Sequence, residues 1–174
     1  MNPTYHALGD HTETIQVDYD PDVISYEKLL RVFWNSHNPG APSWSRQYMS
    51  IIFFHDDAQK RLATLSKDFQ TAEGKRRIHT KIRPFTRFYR AEDYHQKYRL
   101  RSERDLMREF SAMYPEAKDF VDSLAAARVN GYLDGYGTPG DLLAELPGFG
   151  LSPKGRDKLI EIVKGRKGGV ACRS

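Results

Sequence analysis

The chain has 174 residues and a net charge of +4 with histidines neutral; 39% of it is hydrophobic, 12% aromatic and 29% charged. A chain of this length holds one domain, or a domain with a small appendage, and can bury roughly 70% of its unfolded surface. This composition excludes disordered, collagen-like and disulfide-stapled chains.

No apolar run approaches the ~18 residues of a membrane span, so no membrane partner is expected. The opening MNPTYHALGDHTE has neither a basic nor an apolar leader region, so no secretory signal is expected either. The single cysteine, Cys172, excludes an intramolecular disulfide. A reducing, cytoplasmic setting is the simplest expectation.

Thr14 to Tyr19 alternates, with Ile15, Val17 and Tyr19 on one side, and predicts a half-buried strand. Asp20-Pro21-Asp22 ends it. Ser25 then caps a helix whose apolar stripe is Tyr26, Leu29, Leu30 and Phe33. Asn38-Pro39-Gly40 closes that helix, and a loop runs to about Arg46. Ser50 to Phe54 is a continuous apolar run, suited to a strand buried on both faces.

Asp56 and Asp57 stand where a helix cap belongs. Leu62, Leu65, Phe69 and Ala72 follow at helical spacing, with Gly74 as the stop. Ile78 to Ile82 alternates as a third strand, and Pro84 opens an irregular stretch. From about Glu103 the pattern turns helical. Leu106, Phe110 and Met113 mark one helix, and another starts at Pro115 with Phe120, Val121 and Leu124 inward. Asn130 to Gly140 is turn-rich. Two helical stretches follow, near Asp141 to Leu146 and Pro153 to Val163. The basic, Gly-rich tail is expected to be mobile.

Glu13 is the acidic candidate from the residues themselves, just ahead of the first strand, with His11 two residues before it, Tyr5 further upstream, and Tyr48 ahead of the second strand. A glutamate facing an aromatic pocket can donate a proton near neutral pH. The plainer reading makes Glu13 a solvated carboxylate at a strand end.

Five segments occur in order: NPTY (Asn2 to Tyr5), GDHTE (Gly9 to Glu13), YDPDVISYEKLLRVFWNSHNP (Tyr19 to Pro39), QYMS (Gln47 to Ser50) and AEDYHQKY (Ala91 to Tyr98). Together they resemble the peptide methionine sulfoxide reductase A family. The resemblance covers roughly residues 2 to 100.

It implies an α+β, ferredoxin-like two-layer sandwich over residues 1–100 that lacks its N-terminal strand and helix, followed by a helical C-terminal extension over 101–174. It also implies thiol-dependent reduction of methionine S-sulfoxide, in proteins or free, with no metal or organic cofactor and with thioredoxin as reductant. A cysteine thiolate attacks the sulfur, and a glutamate protonates the oxygen, which leaves as water. The cysteine passes through a sulfenic acid and a disulfide before thioredoxin restores it. By resemblance Glu13 matches the proton donor, and Tyr5 and Tyr48 match the tyrosines that hold the oxygen. His11 takes a supporting role. Tyr94, His95 and Gln96 match a motif read as hydrogen-bonding scaffold.

The departures are as informative. The family's nucleophile sits in a Gly-Cys-Phe-Trp-Gly motif upstream of NPTY, and these residues do not contain that motif. The chain is therefore expected to be a partial domain, inactive alone: a fragment or isoform of a longer enzyme, or a non-catalytic binder. Ser43 stands at an aspartate position of the family, within Pro42-Ser43-Trp44-Ser45-Arg46. Leu133 replaces a C-terminal cysteine. Cys172 could resolve a disulfide, but its Gly-rich setting gives nothing to lower its pKa. A lesser alternative is nucleic-acid binding through Leu146 to Leu159, which resembles the hairpin of a helix-hairpin-helix motif.

Overall fold

The structure, a computed structural model, describes Gly9, residues 11–74 and residues 77–165. Tyr5, Cys172 and the basic tail lie outside the described residues. The chain divides into two compact units, Met1–Arg90 and Ala91–Ser174.

The first unit is built on one strand-helix-strand turn. Helix α1 spans Tyr26–Asn35 and starts at Ser25, whose hydroxyl accepts from the Lys28 N–H. That bond satisfies one of the orphan donors every helix start carries. Strand β1 covers Ile51–Phe54, helix α2 covers Asp57–Gly74 and strand β2 covers Lys81–Pro84. Asp56 caps α2 by accepting the Gln59 N–H at 2.7 Å. The strands are parallel, with Ile51 opposite Lys81 and Phe54 opposite Pro84. Parallel strands need a long crossover, and α2 supplies it. The core beneath is small: Leu30, Trp34, Ile52, Ala63 and Ile78, with Tyr26, Phe33, Leu62 and Ile82 against it.

Helix on sheet makes this unit α+β in kind, as the sequence implied, but several details differ. Residues 14–19 form no strand, and Ile15 and Val17 are 86% and 53% exposed. Alternation suits a segment to a sheet, yet a strand exists only where a neighbour accepts its backbone bonds. Strand β1 is half-buried, with only Ile52 enclosed. The inward face of α2 is Gln59, Leu62, Ala63, Ser66, Lys67 and Gln70, whereas Leu65 and Phe69 face outward. That rotation brings Ser66 to the Trp34 indole, whose Nε1–H donates to Ser66 Oγ at 3.0 Å. It also lets Lys67 Nζ donate to the Thr80 carbonyl at 2.7 Å. The third strand begins three residues later than the alternation suggested, while Ile78 and Thr80 enter the interior ahead of it.

The second unit is helical. Helices α3 (Tyr98–Ser102), α4 (Arg104–Met113), α5 (Ala117–Asp122), α6 (Leu124–Leu133), α7 (Pro139–Glu145) and α8 (Pro153–Gly165) enclose a second core. Leu100, Leu106, Phe110, Phe120, Val129, Leu133, Leu142 and Leu159 are buried in it. Leu124, expected to point inward, opens α6 and is 75% exposed. The α6 helix runs through Asn130-Gly131-Tyr132-Leu133, so the turn begins later than the glycines suggest. Gly150, at φ +71°, reverses the chain ahead of α8, a backbone conformation that favours glycine. No described helix is long and apolar enough to cross a membrane.

Candidate functional site

Two short segments of the first unit lie side by side. The Glu13 N–H donates to the Gln47 carbonyl at 3.0 Å, and Thr12 Oγ1 donates to the Arg46 carbonyl at 3.1 Å. The second segment is a tight turn closed by the Met49 N–H on the Arg46 carbonyl, so Gln47 and Tyr48 stand at its corner. Gln47 Nε2 donates to Glu13 Oε1 at 2.7 Å. The carboxylate is exposed rather than enclosed in an apolar pocket. Tyr48, next in sequence to the residue that grips Glu13, is 42% exposed. The structure thus brings Glu13 and the turn carrying Tyr48 together.

His11 is half-buried, and its ring meets the Tyr89 ring edge-on, with centroids 5.2 Å apart. Arg87 donates from Nη1 to the Tyr89 hydroxyl at 3.2 Å, and its guanidinium lies 5.5 Å from that ring. His11 thus packs against Tyr89, a residue that the sequence did not single out. Trp44 was likewise passed over. Its ring lies 5.0 Å from that of Tyr48, tilted by 40°. The Ser43 hydroxyl donates to the Ser45 carbonyl, two residues on.

The turn is anchored from behind by a polar chain. His37 follows α1, and its Nδ1 lies 2.9 Å from the Phe33 carbonyl, so this nitrogen carries the proton. In that tautomer Nε2 accepts the Ser50 hydroxyl at 2.9 Å, which leaves the Thr80 hydroxyl, at 2.8 Å, to donate to Ser50. Ser50 also accepts the Lys81 N–H on its carbonyl. One residue thus ties the end of α1, the start of β1 and the approach to β2 to the chain that carries Tyr48. Within the core of the same unit the Tyr26 hydroxyl is held above its usual pKa, first by burial and then by Tyr19 and Asp56.

In the second unit, Gln96 donates to the Ala91 carbonyl and accepts Arg101 Nε on its own carbonyl, local bonds of a scaffold. The hairpin before α8 was the nucleic-acid candidate. There Glu109 Oε2 accepts the Ser152 N–H at 2.8 Å and Oε1 accepts its hydroxyl at 2.7 Å. A carboxylate already fills the helix start where a phosphate would sit, and it would repel one. A basic stretch, Lys75 to Arg87, could add phosphate contacts to such a reading; Lys75 and Arg76 lie outside the described residues, and Lys81 and Arg83 flank the half-buried Ile82 on an exposed strand.

Comparison with known proteins matches residues 1–127 to the family model for peptide methionine sulfoxide reductase. A Drosophila melanogaster protein named peptide methionine sulfoxide reductase is 41% identical over 173 residues, covering 98% of this chain and 69% of its own. Peptide methionine sulfoxide reductase A5 of rice is 42% identical over 136 residues, covering 75% of this chain and 53% of its own. The archaeal peptide methionine sulfoxide reductase MsrA of Methanothermobacter thermautotrophicus is 43% identical over 108 residues, 56% of this chain and 64% of its own. The chain thus spans between about half and about two thirds of the length of these relatives.

Proposed function

We propose, because the chain belongs to the peptide methionine sulfoxide reductase family, that its first unit supplies the oxygen-binding, proton-donating side of a site that reduces methionine S-sulfoxide in proteins. Glu13 is the proton donor. The hydroxyls of Tyr48 and Tyr5 hold the sulfoxide oxygen, and His11 supports them. The observation that carries this reading is the pairing of Glu13 with Gln47, which sets the carboxylate beside the turn bearing Tyr48. The same reading takes the two parallel strands as part of a ferredoxin-like sandwich.

The chemistry gives each group a task. A sulfoxide oxygen is a poor leaving group until it is protonated, and a carboxylic acid within hydrogen-bond reach can protonate it. A thiolate attacks sulfur as the S–O bond breaks, giving an S–S-linked sulfonium and, with two protons, water. Water attack on the thiol-derived sulfur then releases methionine, a proton and the sulfenic acid. In sum, methionine sulfoxide and a thiol give methionine and a sulfenic acid. A second thiol converts the sulfenic acid to a disulfide and water, and the thioredoxin dithiol returns the disulfide to two thiols. The 174 residues contain one cysteine, Cys172. We assign the attacking sulfur to a motif not contained in them, so that these residues alone bind the sulfoxide without turning it over.

Titration calorimetry with an acetylated methionine sulfoxide amide tests the reading. The S epimer is expected to bind better than the R epimer. Glu13→Gln and Tyr48→Phe should each weaken the S epimer severalfold, as loss of a hydrogen bond to a polarised oxygen does. Equal binding of both epimers, unchanged by either substitution, would refute the assignment.

A further inference from the structure

Trp44 is 84% exposed, although a tryptophan is the side chain with most apolar surface to hide. The other tryptophan, Trp34, is 4% exposed and hydrogen-bonded to Ser66. The Trp44 ring packs only partly, against Tyr48, at 5.0 Å between centroids. Tyr48 lies at the corner of the turn whose neighbouring residue, Gln47, grips Glu13. The exposed ring pair is therefore continuous, through one turn, with the carboxylate of the candidate site.

We infer that Trp44 is a specificity-determining residue: with Tyr48 it forms an aromatic platform for the apolar side chains that flank an oxidised methionine in a polypeptide. This rests on the reading of Glu13 and Tyr48 above and adds the occupant of the ground beside them.

The methylsulfinyl group is small. An extended peptide advances about 3.3–3.6 Å per residue, so a platform two rings wide reaches at least one residue beyond the oxidised side chain. Flat aromatic faces grip neighbouring side chains by apolar contact. Oxidation of a buried methionine makes it polar and disrupts the core around it, so sulfoxides arise among apolar neighbours that become exposed together. In this chain Trp44 belongs to Pro42-Ser43-Trp44-Ser45-Arg46, the stretch that departs from the family pattern.

The test uses the whole chain and calorimetry, with two acetylated, amidated tripeptides centred on methionine S-sulfoxide: one flanked by leucines, one by glycines. The leucine peptide is expected to bind about five- to tenfold more tightly, the scale of one aromatic contact. Trp44→Ala should collapse that ratio toward one, and Trp44→Phe should restore most of it. Equal affinities in the wild type, or a leucine preference that survives Trp44→Ala, would overturn the inference while leaving the Glu13 reading intact. A Trp44-dependent leucine preference that is equally strong when the same two peptides carry unoxidised methionine would uphold the platform and sink the Glu13 reading. Absence of binding by either sulfoxide peptide would overturn both.

Discussion

Glu13 and Gln47 are joined twice, by the Glu13 N–H on the Gln47 carbonyl at 3.0 Å and by the Gln47 side-chain amide on the Glu13 carboxylate at 2.7 Å. The backbone bond fixes the segment, and the side-chain bond aims the carboxylate. Only one carboxylate oxygen is engaged by Gln47, which leaves the other edge of the group for a ligand.

Gln47→Ala should keep the backbone bond and release the carboxylate. The pair is exposed, so global stability should shift by no more than about 0.5 kcal/mol in urea unfolding. Affinity for a methionine S-sulfoxide peptide should fall severalfold because Glu13 is no longer held in place. Unchanged affinity would show that the amide does not orient the acid.

Thr80 is fully buried and donates into the Ser50–His37 chain. Thr80→Val removes that donor and leaves a lone pair of Ser50 without a partner, so it should cost about 1–3 kcal/mol by denaturant titration. Paired with Ser50→Ala it should cost less than the two single changes summed, because both act on one network. Strict additivity would mean that the chain does not act as a unit.

The pH dependence of the second unit has an identifiable source at Asp141. Its carboxyl is held below the usual aspartate value, first by the Thr138 hydroxyl and next by the Thr138 backbone N–H, in the capping box of α7. A depressed folded pKa stabilises above the unfolded value and stops doing so as pH falls through the folded one. Wild type should therefore be more stable than Asp141→Ala near neutrality. The gap should narrow as pH drops below about 4. Thermal melts across that range check it, and a gap constant with pH would contradict the assignment.

The parts of the fold set by local chemistry were legible in the sequence. Ser25 announced α1 and Asp56 announced α2, whereas α1 ends at Asn35, three residues ahead of the Asn38-Pro39-Gly40 stop. What was not legible depends on partners far along the chain. The alternation at Ile15 and Val17 cannot say whether a neighbouring strand is there to pair with it. The rotation of α2, which turns Phe69 out and Ser66 in, sets Ser66 Oγ against the Trp34 indole, a pairing across 32 positions that helical spacing alone does not reveal. Motif order singled out Glu13 and Tyr48 as candidates. The Gln47 grip, the His11–Tyr89 ring contact and the Trp44–Tyr48 pair join residues between 4 and 78 positions apart, and composition carries no trace of such pairings.

The most direct measurement is turnover: methionine S-sulfoxide incubated with excess dithiothreitol and the 174-residue chain carrying Cys172→Ser. The proposal that these residues hold the acid and not the attacking sulfur predicts no consumption above the thiol-only background. Sustained conversion to methionine by that variant, abolished by Glu13→Gln, would contradict it.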